Sequence, residues 1–513
     1  MFRVPAPAAG NPAGPAFCDR QVTEGAAMIE GMLTEDAGTE GVVEAVGAVG
    51  AVAGLAARGV VAVALTWVDN AGLTRVKGVP LGRLSRAVTH GVGASPSFDT
   101  FLVDDSSIVA RYAGGPVGDL RLRPDLSRLT QLRAQPGWAW APADRYALTG
   151  HPHPQDARAF ARAQAEGLRR RGLHALAGFE IEWMVSPAGS DDFTAACSGP
   201  AYGMVRVVEL SDYLRDLVEA LTAQGIELLQ IHPEYAAGQF EVSVAPEDPV
   251  AAADTSVLVR QTVRGVAARH GLRVSFAPQA LAGSVGNGGH LHLSLHGGVS
   301  LPNGVPNGVP NGGPGGGPGG GPLMAGGSGL FGLTAAGEAF VAGVLRHLPA
   351  LMALGAPSVT SYLRLVPSNW AGAYACWGLE NREAAIRMIT GAAGEPGGAN
   401  IEVKCFDLAA NPYLLIGGVL AAGIDGLAAA ATLPEPFDGD PASCAGVELA
   451  RLGVRRLPTD LGEAVAAFGA DEVLRTALGV ELHDTIGAVR RGEIELFAGL
   501  DPSAVVDRVR WRY

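Results

Sequence analysis

An α+β fold in more than one domain is predicted for this chain of 513 residues by three observations. Strands that alternate apolar and polar residues recur between Val60 and Lys404. Helical stretches separate them without the regular strand-helix-strand period of a parallel sheet. An early hairpin and a later, helix-rich region differ enough in pattern to be separate domains, and the length suits two or three of them around a large core.

The elements follow in order. Residues 1–58 are rich in small residues, proline and glycine first and helix-prone sequence later, and read as a variable N-terminal extension without chemistry. Its most membrane-like run, Gly41 to Ala57, contains Glu44, is closed by Arg58 and is mostly Ala, Gly and Val; a soluble helix is expected rather than a span. From Val60 the run Val-Val-Ala-Val-Ala-Leu-Thr-Trp-Val-Asp is a buried type of strand. Asn70-Ala71-Gly72 turns it, and it resumes from Leu73 to Val79. Shorter elements continue to Arg123-Pro124-Asp125, so residues 59–135 form a small β-rich domain.

A second domain, 144–513, opens with a helix from Ala157 to Arg171 whose arginines are expected on its outer face. Strand 178–185, helix 211–224, strands 227–232 and 238–245, helix 250–270 and strand 289–295 follow. Residues 300–323, built of Pro-Asn-Gly-Val units that degrade into Pro-Gly-Gly-Gly, have almost nothing apolar to bury and read as a disordered, low-complexity insertion. A helix from Ala335 to Leu354, a dense stretch at 357–413 and further helices complete the chain.

Composition excludes several functions. A net charge of −13 and a pI near 5.4 argue against nucleic acid or an anionic membrane as the main partner. Five scattered cysteines without C-x-x-C spacing imply neither a disulfide framework nor a zinc site and fit a reducing cytoplasm. The N-terminus lacks a basic start followed by an apolar core, so it does not resemble a signal peptide.

The chemistry lies in the polar faces of the strands. In Gly289-His290-Leu291-His292-Leu293-Ser294-Leu295 the leucines share one face, and His290, His292 and Ser294 the other. In Gly178-Phe179-Glu180-Ile181-Glu182-Trp183, Glu180 and Glu182 share a face about 7 Å apart, at a rise of about 3.3 Å per residue. Glu234 and Glu241 lie on or beside the next strands, and Glu402 and Lys404 share a face of Ile401-Glu402-Val403-Lys404. Four independent solvent-facing strands do not account for five glutamates and two histidines so placed, because neighbouring carboxylates repel without a cation. Carboxylate-dominated ligation with an imidazole suits Mg²⁺ or Mn²⁺ better than zinc. Such ions beside arginines Arg364, Arg382 and Arg387 imply phosphoryl transfer from a nucleotide. No G-x-x-x-x-G-K-[ST] loop and no G-x-G-x-x-G after a strand is present, so the nucleotide is held neither by a P-loop nor by a Rossmann fold.

These residues resemble, in order, the motifs of the glutamine synthetase family: Gly-Phe-Glu-Ile-Glu at 178–182, His-Pro-Glu at 232–234, Gly-Gln-Phe-Glu at 238–241, His-Leu-His-Leu-Ser at 290–294, Ser-Tyr-Leu-Arg-Leu-Val-Pro at 361–367, Glu-Asn-Arg-Glu-Ala-Ala-Ile-Arg at 380–387 and Ala-Asn-Pro-Tyr at 410–413. The resemblance spans about 59 to 513. It implies a small β-grasp-like N-terminal domain and a large catalytic domain with a curved antiparallel sheet and helices. It also implies a ligase that phosphorylates the side-chain carboxylate of glutamate with ATP and lets an amine displace the phosphate. Glu182, Glu234 and Glu241 are similar to the ligands of one metal, and Glu180, His290 and Glu402 to those of the other. His292 and Ser294 are expected by the nucleotide, Arg364 and Arg382 on glutamate and the transferring phosphoryl group, and Arg387 and Lys404 as further positive charge. The family builds its site between neighbours in a ring, a dodecamer by resemblance, so Asp104 and Ser107 are expected to enter from the adjacent protomer.

The departures bear on the amine. Where glutamine synthetases carry a glutamate that helps bind and deprotonate ammonium, three residues after the proline of Arg-Leu-Val-Pro, this chain has Trp370, whose indole accepts no proton and offers a flat apolar face. The Asn-Gly that helps hold glutamate is Val285-Gly286, with Asn287-Gly288 two residues later, and the phosphate-side arginine before the metal-binding glutamate is Asn400. Tyr202, similar to an ammonium-pocket tyrosine, is kept. A γ-glutamyl-amine ligase acting on an organic amine is therefore expected, with Trp370 packed on the carbon chain of that substrate. Ordinary glutamine synthesis from ammonium and a non-catalytic relative kept for structure or regulation are the alternatives.

Overall fold

The computed structural model describes residues 39–298, 321–392 and 394–513. The chain before Thr39 and residues 299–320, most of the insertion expected at 300–323, lie outside the described residues; the end of that expected insertion is corrected, because Pro322 bridges His296 and Leu323 is buried with its N–H donating to the Leu295 carbonyl at 2.7 Å.

The first layer is a six-stranded sheet ordered β2-β1-β6-β4-β3, with β5 added to β6. Its strands are β1 Ala62–Val68, β2 Thr74–Pro80, β3 Val92–Ala94, β4 Leu120–Pro124, β5 Thr130–Gln131 and β6 Trp138–Ala147. The expected hairpin is present, with β1 and β2 antiparallel from Val68 opposite Thr74 to Ala62 opposite Pro80. The domain boundary at 135 is corrected by β6, which runs parallel to β1 and antiparallel to β4 in the middle of this sheet. Ala139, Ala141 and Ala143 are its contribution to the core of this domain, and such small residues give little strand signal. The other end of the domain moves too. Helix Thr39–Ala57 places Leu55 in the same core as Val63, Leu65 and Leu84, so this part of the extension belongs to the domain.

The second layer is a nine-stranded sheet ordered β15-β12-β13-β14-β11-β7-β9-β8, with β10 on β7. Its strands are β7 Leu173–Pro187, β8 Leu228–Pro233, β9 Gln239–Val244, β10 Leu272–Ser275, β11 Leu291–Gly297, β12 Tyr374–Leu379, β13 Ala384–Ile389, β14 Asn400–Val403 and β15 Arg455–Arg456. It is antiparallel except for the parallel pair β12–β13. Strand β7 is its spine: one edge pairs with β11, Leu291 opposite Phe179, and the other with β9, Glu182 opposite Glu241. Leu291, Leu293, Leu295, Phe179, Ile181 and Trp183 are buried on the apolar face.

Helices cover that face. Ala335–Gly355 and Pro412–Ala428 pack so closely that a Cβ on Gly343 would lie 2.3 Å from the Ala422 carbonyl oxygen. Ala335–Gly355 is the one helix among the described residues long and apolar enough to cross a membrane, and 78% of its most apolar window is buried inside the protein.

One expectation for helix Ala157–Arg169 is overturned. Arg158 does not face outward; it is buried, donating to Asp254 through Nε at 3.0 Å and Nη2 at 2.8 Å, and to Asp125 and Asp144 at 2.7 Å each. Its position in the first turn, beside the N-cap Asp156, aims it back between the two sheets. Three acids from the two layers thus share one guanidinium.

Candidate active site

The polar face of the second sheet gathers the acids. Glu180 leaves β7, His290 immediately precedes β11 and Glu402 lies on β14, and they place ligand atoms within 4.8 Å of one another. His290 Nδ1 lies 2.9 Å from Glu180 and 3.1 Å from Glu402. Burial opposes charging this imidazole and Lys404 adds to that, but hydrogen bonds to the two glutamates hold it at about 9. Glu402 is pulled far below the ordinary range: burial opposes this, and His290 and Lys404 outweigh it. Strand pairing sets the cluster, because a one-residue slip would turn every ligand into the leucine core.

A second cluster is built of His232, Glu234 and Glu241. His232 is 3.4 Å from Glu241 through Nε2 and 3.4 Å from Glu234 through Nδ1, and its hydrogen bond to Glu241 raises it to about 9. Glu182 stands opposite Glu241 in the β7–β9 register, accepts a 3.0 Å hydrogen bond from Gln239, and is pushed up to about 7 by burial and by Glu241 and Glu234. His232 was not among the expected ligands. Its signal was in the sequence, two positions before Glu234 and so on the same face of a strand.

Gly288 packs between the two groups. A Cβ there would stand 2.5 Å from His290 Nε2 and 2.7 Å from Glu182 Oε1, so the absence of a side chain lets both groups close in. The donor chemistry of both clusters, two carboxylates and one imidazole each and no thiol, fits a hard or borderline divalent cation.

The basic residues divide. Arg364 is buried, with Nη2 3.1 Å from His290 and donating at 3.0 Å to the Lys404 carbonyl, while its Nη1 is buried without a partner. Lys404 Nζ and Arg387 Nη1 reach Glu402 at 2.9 and 3.1 Å, and Arg387 also pairs with Glu380. Arg382 is exposed. His292 joins the first cluster, 3.1 Å from Glu180 and 2.9 Å from Asn400, and Ser294 bonds His296 at 2.9 Å. Asp104 is exposed and bonds Ser106 at 2.9 Å within its own loop. Among the described residues no hydrogen bond or ion pair joins Asp104 to the clustered glutamates.

The amine-pocket candidates sit at strained positions. Tyr202 (φ 56°) donates to Glu234 at 2.9 Å, and Trp370 (φ 53°), 56% exposed, donates its backbone N–H to Glu383 at 2.8 Å. Ser368 and Glu380 share the left-handed conformation, which costs non-glycine residues about 1–3 kcal/mol each and concentrates at working sites. Glu383, which anchors Trp370, was missed because it reads as one more polar residue of a turn. Asn287, by contrast, is spent on the fold: its amide donates to the carbonyls of Ala277 and Ser275 at 2.9 and 3.2 Å.

With this geometry, the glutamine synthetase catalytic domain matches residues 154–309 and 316–504. The chain is 54% identical over 463 residues to gamma-glutamylpolyamine synthetase GlnA3 of Streptomyces coelicolor, covering 90% of this chain and 95% of that one. It is 30% identical over 429 residues to glutamate–methylamine ligase of Methyloversatilis universalis, covering 80% and 88%. A crystal structure described as a novel glutamine synthase homolog is similar with a TM-score of 0.76 and 33% identity, over 88% of this chain and 99% of that one.

Proposed function

The chain belongs to the glutamine synthetase family, and from that premise we propose that it joins a polyamine to the γ-carboxylate of glutamate at the expense of ATP. It is a carbon–nitrogen ligase forming a γ-glutamyl amide, with ATP and a divalent metal as the family's requirements. The observation that carries the choice of amine is Trp370. An indole stands where ordinary glutamine synthesis has a proton-accepting carboxylate, and it is exposed where an alkyl chain can lie on it.

The remaining assignments rest on the same reading. Glu180, His290 and Glu402 would hold one metal, and Glu234 and Glu241 with His232, joined by Glu182 opposite Glu241, the other; Mg²⁺ or Mn²⁺ suits the oxygen-rich sets. Such ions neutralise charge on the transferring phosphoryl group. Arg364 and Arg382 orient glutamate and phosphate, and Arg387 and Lys404 keep Glu402 ionised and placed. Tyr202, hydrogen-bonded to Glu234, closes the amine side. The exposure of Asp104 supports a ring in which it serves a neighbouring protomer.

The test is phosphate release from ATP with glutamate and Mg²⁺, offering spermidine, putrescine, methylamine, ethanolamine and ammonium in turn and weighing the product by mass spectrometry. Polyamines are expected to give the highest kcat/KM. A higher value for ammonium would overturn the choice of amine.

A further inference from the structure

Away from the acidic face, a cavity of about 250 Å³ opens between the β1–β2 turn, helix Pro249–Arg269 and the C-terminal residues Trp511–Tyr513. Four arginines line it: Arg75, Arg260, Arg264 and Arg512. Two have partners. Arg75 donates to Asp69 at 2.6 Å and Asp105 at 2.8 Å, and Arg512 lies 2.9 Å from Asp105.

Arg260 and Arg264 have no acidic partner among the described residues. Arg260 is 5% exposed; its Nη1 donates to the Leu408 carbonyl at 2.8 Å, but Nε and Nη2 are buried with nothing to donate to. Arg264 stacks over Phe276 with its guanidinium carbon 4.7 Å from the ring centre. A buried guanidinium without an acceptor is costly, as at Arg260, and the half-buried Arg264 lies one helical turn away on the same face of the helix. Burial drags Arg260 down to about 10, and burial together with the neighbouring charge of Arg260 drags Arg264 down to about 9. Nothing in ATP cleavage or amide formation, as assigned above, uses either residue.

We propose that this cavity is a binding site for a small multivalent oxyanion, a phosphate or a dicarboxylate, held by Arg260 and Arg264 with Arg75 and Arg512 at its rim. Planar guanidinium forks match the oxygens of such ions two at a time. The anion then competes with Asp105 for Arg75 and Arg512. Asp105 adjoins Asp104 and is itself held at φ 68°, so an occupied cavity meets the loop expected to serve a neighbouring protomer.

The experiment is thermal unfolding of the full chain without Mg²⁺, ATP or glutamate, titrated with inorganic phosphate or succinate against chloride at matched ionic strength. A saturable rise in midpoint is expected, as for any ligand of the folded state. Arg264→Gln should weaken the binding at least about tenfold. Gln261→Glu, which puts a carboxylate on the cavity wall, should abolish the response and raise the midpoint without added anion. Arg382→Gln should leave the response intact. The two anions distinguish the sources: a rise with phosphate alone assigns a phosphate site, and one with succinate alone a carboxylate site. The proposal fails if neither anion exceeds chloride. It fails equally if Arg382→Gln removes the response while Arg264→Gln keeps it, because the anion is then in the active site. It also fails if Arg264→Gln alters the assembly seen by sedimentation while no anion binds, because the arginines then meet acids of a second copy.

Discussion

Gly288→Ala is the most economical perturbation of the site. The backbone of Gly288 does not need a left-handed glycine, so alanine fits the main chain; only its methyl group collides, 2.5 Å from His290 Nε2 and 2.7 Å from Glu182 Oε1. Restoring ordinary contact near 3.4 Å requires His290 to retreat by about 0.9 Å and Glu182 by about 0.7 Å. These two side chains are assigned to different metals in the proposed site, so a single methyl would disturb both. A displacement approaching 1 Å in positioning groups costs about 10²-fold in rate, or about 2.7 kcal/mol of transition-state stabilisation. The assay is kcat/KM for the best amine together with thermal melts with and without Mg²⁺, and Gly397→Ala, whose added Cβ would meet nothing within 4 Å, is the control. The variant should melt within about 1 kcal/mol of the parent yet lose the rate and the Mg²⁺-dependent shift. Retention of kcat/KM within about twofold would refute the cradle and with it the placement of the metals.

Further outcomes follow from other contacts. Glu182→Ala should abolish turnover by removing a metal ligand, and near-normal phosphate release would sink that assignment. Trp370→Ala should raise KM for polyamines by about 10- to 200-fold, the worth of a hydrophobic contact of about 1–3 kcal/mol, while ammonium use changes little; equal losses for both nucleophiles would show that the indole only shapes the loop. Arg158→Ala takes its two-pronged partner from buried Asp254, leaving it the Tyr413 hydroxyl at 2.7 Å and Arg128 at 3.6 Å, and should destabilise by about 3 kcal/mol in urea melts, the low end for breaking a buried pair; a change below about 1 kcal/mol would contradict the staple. Glu493 is pushed up to about 7 by burial, so the fold favours its protonated form. Its stabilising contribution is present below the unfolded value of about 4.5 and is lost as pH rises through 7, by about 3 kcal/mol. Glu493→Gln should therefore gain stability relative to the parent between pH 5 and pH 8, and parallel pH profiles would exclude the effect.

Much of the candidate site was legible because side chains on one face of a sheet recur with a period of two. Glu180, Glu182, His290 and His292 announce their shared face within two short stretches, and the register then brings Glu402 and Glu241 across. What stayed hidden was decided by shape or by distant pairing. Gly288 looks like any glycine until a Cβ is built on it. Glu383 acquires its role only when the chain folds back to the Trp370 N–H. Strand β6 is written in alanines around two tryptophans, and the inward turn of Arg158 depends on Asp254, 96 residues later. Local pattern carries the first kind of information and cannot carry the second.

The Arg158 staple has a consequence for how the chain is made. Asp125 and Asp144 emerge from the ribosome 33 and 14 residues before Arg158, whereas Asp254 follows 96 residues after it. The N-terminal sheet can therefore recruit the arginine early and hold its helix at the seam while the other half of the protein is still being synthesised. Only when helix Pro249–Arg269 arrives does the last acid close the cluster and seal it from water. A nascent chain halted between these events should remain open to protease at the seam, which the closure of one guanidinium joins.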